Sequence, residues 1–198
     1  VTTTTISIEQ YKLAKHRVKE AGLGGQIKVL LKDYRLLKGR YDKLVSIEMI
    51  EAVGYQFYDE YFKSISHLLK DAGDALIQAI TIKDQRYPKA LKSVDFIQKY
   101  IFPGSCIPSI TAIQNSLTNV TDLVINDIED IGHHYVRTLA DWRKKFLKNK
   151  QEIRRLGFDE QFIRMWLFYF AYCEGGFKEK VISDIHLNIT KPGFRNTI

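Results

Sequence analysis

Hydrophobic positions along this chain change period several times, and each change predicts an element. Over residues 7–21, Tyr11, Ala14, Val18 and Ala21 recur on one helical face. Ser7 and Gln10 stand at the spacing of a capping box, and Gly22 supplies a stop. Residues 27–31 and 43–47 are short apolar runs of the buried-strand kind, with Asp33, Tyr34, Arg35 and Gly39 marking a loop between them. Phe57, Tyr61, Ile65 and Leu68 return to helical spacing and stop before Gly73. Residues 75–82 are rich in β-branched side chains and predict a further strand. Strand alternating with helix argues for an α/β fold, a parallel sheet with helices on both faces.

After Ile82 the rhythm changes. Pro88, Pro103 and Pro108 break residues 84–118 into loop and helix. Residues 123–131 read as a strand, and 138–149 and 159–174 as helices. Along 181–190, Val181, Ser183, Ile185, Leu187 and Ile189 fall on one side of a last strand.

Composition narrows the setting. The 198 residues, 45% hydrophobic and 27% charged, suit one globular domain or most of one. The longest apolar stretch, residues 165–173, carries two tyrosines and falls well short of the roughly 18 residues a membrane span needs. The opening Val1-Thr-Thr-Thr-Thr-Ile6 lacks the charged and apolar regions of a signal peptide. Cys106 and Cys173 give no disulfide framework, and His16, His67, His133, His134 and His186 show no metal-ligand spacing. A reduced cytoplasmic compartment and no metal are the expectation. The net charge of +7 favours an anionic partner, nucleic acid or a phospholipid surface, without choosing between them. No nucleic-acid-binding motif accompanies the charge. Seven basic residues between Arg143 and Arg155, against the single acid Glu152, read equally as a solvated face and as a surface for anionic headgroups.

In an open parallel sheet, ligands bind outside the carboxyl ends of the strands. Those ends carry Thr4 and Thr5, Asp33 and Tyr34, Glu48 and Glu51, and residues 78–82. Acidic groups there suit a ligand with a ribose, an exocyclic amine or a positive charge.

At these positions the chain resembles the cyclopropane-fatty-acyl-phospholipid and mycolic acid cyclopropane synthases, a family of S-adenosylmethionine-dependent methyltransferases. The resemblance is carried by Ser46-Ile-Glu-Met-Ile-Glu-Ala-Val-Gly54, by residues 75–82 and by Phe96-Ile-Gln-Lys-Tyr-Ile-Phe-Pro-Gly104 with Pro108 and Ser109. Gly132-His-His-Tyr-Val-Arg-Thr-Leu139 with Trp142, residues 158–166 and residues 170–177 complete it. The two late strands are similar to the closing hairpin of a methyltransferase sheet. Together these segments cover nearly the whole chain in family order.

The resemblance implies a Rossmann-like class I methyltransferase fold, with a helical lipid-site insertion at about residues 84–120. Thr5, Ile6 and Gln10 match positions that contact the cofactor, Asp33 and Tyr34 those that bind and cover its adenine, and Ile47 lies beneath it. Glu51 and Tyr135 match residues that hold a bicarbonate ion, with the backbone at Ile80 contributing. Some members use a histidine at position 78; here Gln78 can donate a hydrogen bond without carrying the charge. The implied activity is transfer of a methylene from S-adenosylmethionine to the double bond of an unsaturated phospholipid acyl chain, forming a cyclopropane ring. Phe158, Phe162, Trp166, Tyr169, Phe170 and Phe177 supply aromatic surface for such a chain, although their spacing alone reads as an ordinary buried stripe. A methyl-branched product, N-methylation of a small amine and a non-catalytic lipid-binding remnant are the rival outcomes. The partner implied is a membrane surface met from the cytoplasmic side, and a homo-oligomer is compatible with it.

The resemblance lacks its beginning. No glycine-rich loop follows a first strand, and Gly22, Gly24 and Gly25 come between a helix and a strand, as a stop and turn. The expectation is the carboxyl-terminal two-thirds of a methyltransferase domain, its sheet opened where the first strand would lie and its neighbours left with unpaired edges.

Overall fold

A computed structural model describes residues 1–195. The first half alternates as expected: β1 (Thr2–Thr5), α1 (Ile8–Glu20), β2 (Lys28–Leu31), β3 (Tyr41–Ile47), the short α2 (Ile50–Val53), α3 (Tyr58–Leu68) and β4 (Leu69–Ile82). The second half adds α4 (Tyr87–Ala90), α5 (Phe96–Tyr100), α6 (Ile110–Val120), β5 (Val124–Asp130), α7 (Gly132–Lys148), α8 (Lys150–Arg155), α9 (Glu160–Lys178) and β6 (Ile182–Thr190).

The strands form two sheets. β1 and β2 pair in parallel, and a mixed sheet runs in the order β3-β4-β6-β5, parallel between β3 and β4 and antiparallel across both contacts of β6. Among the described residues β1 pairs only with β2 and β3 only with β4, so each carries one unpaired edge. Val45 and Ile47 on β3 are 63% and 53% exposed. This is an open apolar face beside the free edge.

Alternation on β4 assigns the two layers. Ala75, Ile77 and Ala79 join Tyr61, Phe62 and Ile65 of α3, Ile113 and Leu117 of α6, and Ile185, Leu187 and Ile189 of β6 in the main core. The opposite face sends Ile80 and Ile182 into a second core with Leu139 of α7 and Phe170 and Phe177 of α9. Gln78 on β4 and Asp184 on β6 share that second face, which is how two polar side chains come to lie under α7.

Two boundaries and one cap depart from the sequence reading for local reasons. β4 begins at Leu69, six residues early, because Gly73 does not end the helix but sits inside the strand beside a register shift. A Cβ there would lie 3.0 Å from the Asp42 carbonyl oxygen, a close backbone approach that glycine allows. α7 begins at Gly132 rather than 138, since the Asp130 carboxylate accepts from the Gly132 N–H at 2.9 Å and starts the helix. The capping box of α1 is half made: Ser7 accepts from the Gln10 N–H, but the Gln10 side chain turns to the Thr5 hydroxyl at 2.7 Å.

Candidate active site

The carboxyl end of β3 organises the site. Ile47 stands opposite Gln78 in register, and the next residue, Glu48, turns with φ at 47° while its N–H donates to the Gln78 carbonyl at 2.9 Å. A left-handed backbone is uncommon for a residue with a long side chain and marks a position held by its surroundings. The turn swings the Glu48 carboxylate across β4. There its Oε1 accepts from Gln78 Nε2 at 3.2 Å and from the Tyr135 hydroxyl.

Glu51 enters from the first turn of α2, and its Oε1 accepts from the Ile80 N–H at 2.6 Å. Its Oε2 is buried without a partner among the described residues. Burial pushes this carboxyl up to about 7; its hydrogen bonds oppose the shift, and the charges of Glu48 and Asp184 add to it. Asp184 is fully buried, accepts from Gln78 Nε2 at 2.7 Å through Oδ2, and leaves Oδ1 without a partner among the described residues. Burial, opposed by the Gln78 bond, raises it to about 6.

Tyr135 reaches Glu48 because Gly132, one turn earlier, lets α7 settle on β6. A Cβ at 132 would lie 2.9 Å from the Asp184 backbone nitrogen. The Tyr135 ring stacks on Phe177 with centroids 5.0 Å apart. Burial, then the Glu48 bond, raises its phenol well above the usual range, so it stays a donor.

Glu51 and Asp184 have raised folded pKa values, and the sign of the pH dependence follows. A carboxyl whose folded pKa lies above its unfolded value stabilises fully below the unfolded value and loses that contribution as pH rises through the folded one. These two groups therefore make the protein less stable as pH climbs from about 4 to about 7. Melting temperature measured across that window should fall, and the fall should be shallower in Glu51→Gln.

The residues matched to the cofactor lie at the carboxyl ends of β1, β2 and β3. The Thr5 hydroxyl donates to Gln10 Oε1, and Ile6 beyond it is 77% exposed. Asp33 caps a short 3-10 turn and takes a two-pronged bond from Arg35, at 3.0 Å from Nε and 2.7 Å from Nη2. That guanidinium holds its carboxyl below the usual carboxylate range. Tyr34 packs edge-on against Tyr61, whose hydroxyl donates to Ser46 at 2.8 Å, next to Ile47. The set offers the Asp33 carboxylate for the exocyclic amine of an adenine, exposed apolar side chains for its faces and hydroxyl and amide groups for the other polar parts, so it fits S-adenosylmethionine.

Bicarbonate does not fit equally well. The donors matched to it, Ile80 N–H, Gln78 Nε2 and the Tyr135 hydroxyl, all end on carboxylates of the chain itself.

The aromatic residues divide. Phe170 and Phe177 are buried in the second core, while Phe158 is 44% exposed and stacks on Phe162. The exposed surface that sequence spacing missed joins α5 to α9, with Phe96 edge-on to Phe168 at 4.6 Å and Phe102 against Tyr169 at 6.2 Å. Most of the basic run is ion-paired: Arg143 with Glu174, Lys144 with Asp141, Lys150 and Arg154 with Glu160, and Arg155 with Glu152. Arg143, Lys150 and Arg154 tie α7 and α8 to α9, while the Lys144 and Arg155 pairs lie within a single helix. Among the described residues no helix is long and apolar enough to cross a membrane, and no cluster of metal-ligating side chains occurs.

Asp184 went unassigned in the sequence, and Glu48 was only a strand-end acid. The signal for Asp184 was the polar line Asp184, His186 and Asn188 on a strand whose other line is apolar.

Comparison with known proteins decides the family. The mycolic acid cyclopropane synthetase family matches residues 1–187. The chain belongs to that family. It is 40% identical over 193 residues to the tuberculostearic acid methyltransferase UfaA1 of Mycobacterium tuberculosis, covering 98% of this chain and 45% of that protein. It is 37% identical over 179 residues to the cyclopropane-fatty-acyl-phospholipid synthase of Escherichia coli K12, covering 90% of this chain and 44% of that protein. The chain thus spans somewhat under half the length of these curated relatives. Among solved structures, the mycolic acid cyclopropane synthase CmaA1 complexed with SAH and CTAB superposes with a TM-score of 0.86 at 24% identity, covering 96% of this chain and 70% of that one. That likeness establishes the class I methyltransferase fold.

Proposed function

We propose that the protein transfers a methylene unit from S-adenosylmethionine to the double bond of an unsaturated acyl chain of a phospholipid, closing a cyclopropane ring. The observation that carries this reading is the group Glu48, Glu51, Asp184 and Tyr135 gathered beside a strand end, next to aromatic side chains. Tyr169 belongs to both regions: it packs against Phe102, and the Glu48 charge helps raise its phenol after burial and Cys173. Names of relatives support the substrate class, since one is a cyclopropane-fatty-acyl-phospholipid synthase.

Bound S-adenosylmethionine would supply an electrophilic methyl. Asp33, Thr5 and Gln10 would hold its polar parts, and Ile47, Ile6 and Tyr34 would flank its adenine. The acyl chain would lie along Phe96, Phe102, Phe168 and Tyr169. Carboxylates fixed beside it favour the positive charge that develops on the alkene, because donors and acceptors set in advance need no reorganisation at the moment of reaction. An exposed apolar surface with a basic protein around it suits a membrane met from the cytoplasmic side, where Lys145 and Lys148 carry no carboxylate partner among the described residues.

A second reading, the same transfer followed by loss of a proton to leave a methyl- or methylene-bearing alkene in place of a ring, is favoured by the relative named a tuberculostearic acid methyltransferase. Mass analysis of lipids after incubation with S-adenosylmethionine and unsaturated phospholipid vesicles tests both. The proposal expects acyl chains heavier by one methylene and resistant to mild hydrogenation. A product of that mass that takes up hydrogen would favour the second reading, and unchanged lipids would count against both.

A further inference from the structure

Holding a small oxyanion takes hydrogen-bond donors aimed at it. At this site the donors are spent. The Ile80 N–H donates to Glu51 Oε1 at 2.6 Å, and the Tyr135 hydroxyl donates to Glu48 Oε1. Gln78 has two amide hydrogens; Nε2 lies 3.2 Å from Glu48 Oε1 and 2.7 Å from Asp184 Oδ2, so both are used. Toward any further ligand the amide presents only its carbonyl oxygen. Three carboxyl groups, two with buried oxygens unpaired among the described residues, add acceptors and negative charge where an anion would have to enter.

Glu48 is the exposed member of the three, and its backbone is held in the left-handed region to deliver it. Oε1 takes both bonds, from Gln78 and Tyr135, and fixes the carboxylate plane. Oε2 carries no bond among the described residues.

Resting on the reading above, we propose that this chain uses no bound bicarbonate: Glu48 occupies the anion's place and is itself the base of the reaction. The step balances within the site. A C–H bond of the transferred methyl breaks, its electron pair forms the last ring bond, and the proton passes to Glu48 Oε2. The resulting carboxylic acid returns the proton to water on its exposed side. Gln78 and Tyr135 act as positioning residues that keep the carboxylate oriented, a task whose loss is costly even when the base itself remains.

The test reads anion binding directly. Isotopically labelled bicarbonate, followed by carbon NMR, is titrated with the 198-residue chain, with Glu48→Gly, and with Glu48→Gly combined with Tyr135→Phe. Glycine is at ease in the left-handed backbone, so the first variant is expected to fold. The expected result is no saturable binding by the unchanged chain, saturable binding by Glu48→Gly where Gln78 and Tyr135 are released, and its loss in the double variant. Lipid methylation in buffer stripped of carbon dioxide should persist in the unchanged chain. In Glu48→Gly it should fall on the order of 100-fold and return with added bicarbonate. Saturable bicarbonate binding by the unchanged chain, or none by Glu48→Gly, overturns the proposal. Calorimetric titration of each protein with S-adenosylhomocysteine separates the two levels: failure there refutes the cofactor reading, while the NMR result still decides the anion.

Discussion

Gly132→Ala is expected to lower both stability and activity, the largest combined effect of any small substitution here. The added Cβ would meet the Ser183 side chain and lie 2.9 Å from the Asp184 backbone nitrogen, so α7 must lift from β6. Overpacking of this kind costs about 1–3 kcal/mol, and in a domain of this size each kcal/mol lowers the melting temperature by roughly 2–4 °C. Because Tyr135 rides one turn further along α7, its hydroxyl would be carried off Glu48. A misplacement of about 1 Å can cost on the order of 100-fold in rate. Gly24→Ala is the control: nothing lies within 4 Å of a Cβ there, and stability should change by less than about 0.5 kcal/mol. Thermal melts and lipid methylation rates on both variants check the pair. An unchanged melt for Gly132→Ala would show that the helix does not need its close approach.

Tyr135→Phe should separate chemistry from folding. The ring keeps its stack on Phe177, and only the hydroxyl that donates to Glu48 is lost. A hydrogen bond to a charged group contributes about 1.5–3 kcal/mol, which corresponds to a roughly 10- to 100-fold fall in rate. The KM for S-adenosylmethionine should stay the same, because Tyr135 is not among the residues proposed to hold the cofactor. A rise in KM with unchanged kcat would instead place the hydroxyl on the cofactor.

Much of the fold is legible in the sequence because periodicity reports burial. The alternating line Ile185, Leu187, Ile189 and, from the helical repeat, Tyr61, Ile65 and Leu68 are core positions in the structure, whereas Phe57 lies just before α3 and is 48% exposed. What escaped are features set by backbone approach rather than by pattern. Gly73 looks like a helix stop, but it allows β4 to pass the Asp42 carbonyl. Gly132, Tyr135, Val136 and Leu139 do keep helical spacing, but glycine is a poor helix former, so the start of α7 depends on the Asp130 bond, which spacing does not announce.

The candidate site divides in the same way. Glu51, Gln78, Ile80 and Tyr135 come together because segments far apart in sequence converge on β4. The clamp on Gln78 could not be read, because it requires the register that sets Asp184 on β6 near Gln78, and register is a property of paired strands. Asp33 is a residue on which two readings agree. It caps a turn through Arg35, and it also stands at the end of β2, where the resemblance has it bind the adenine.

The central claim is that the ends of β1, β2 and β3 form the cofactor site, and calorimetric titration with S-adenosylhomocysteine tests it most directly. The account predicts saturable one-site binding by the unchanged chain, weakened at least about tenfold in Asp33→Ala by loss of a bond from a charged acceptor. No binding by a chain shown to be folded, or binding that Asp33→Ala leaves unchanged, would contradict it.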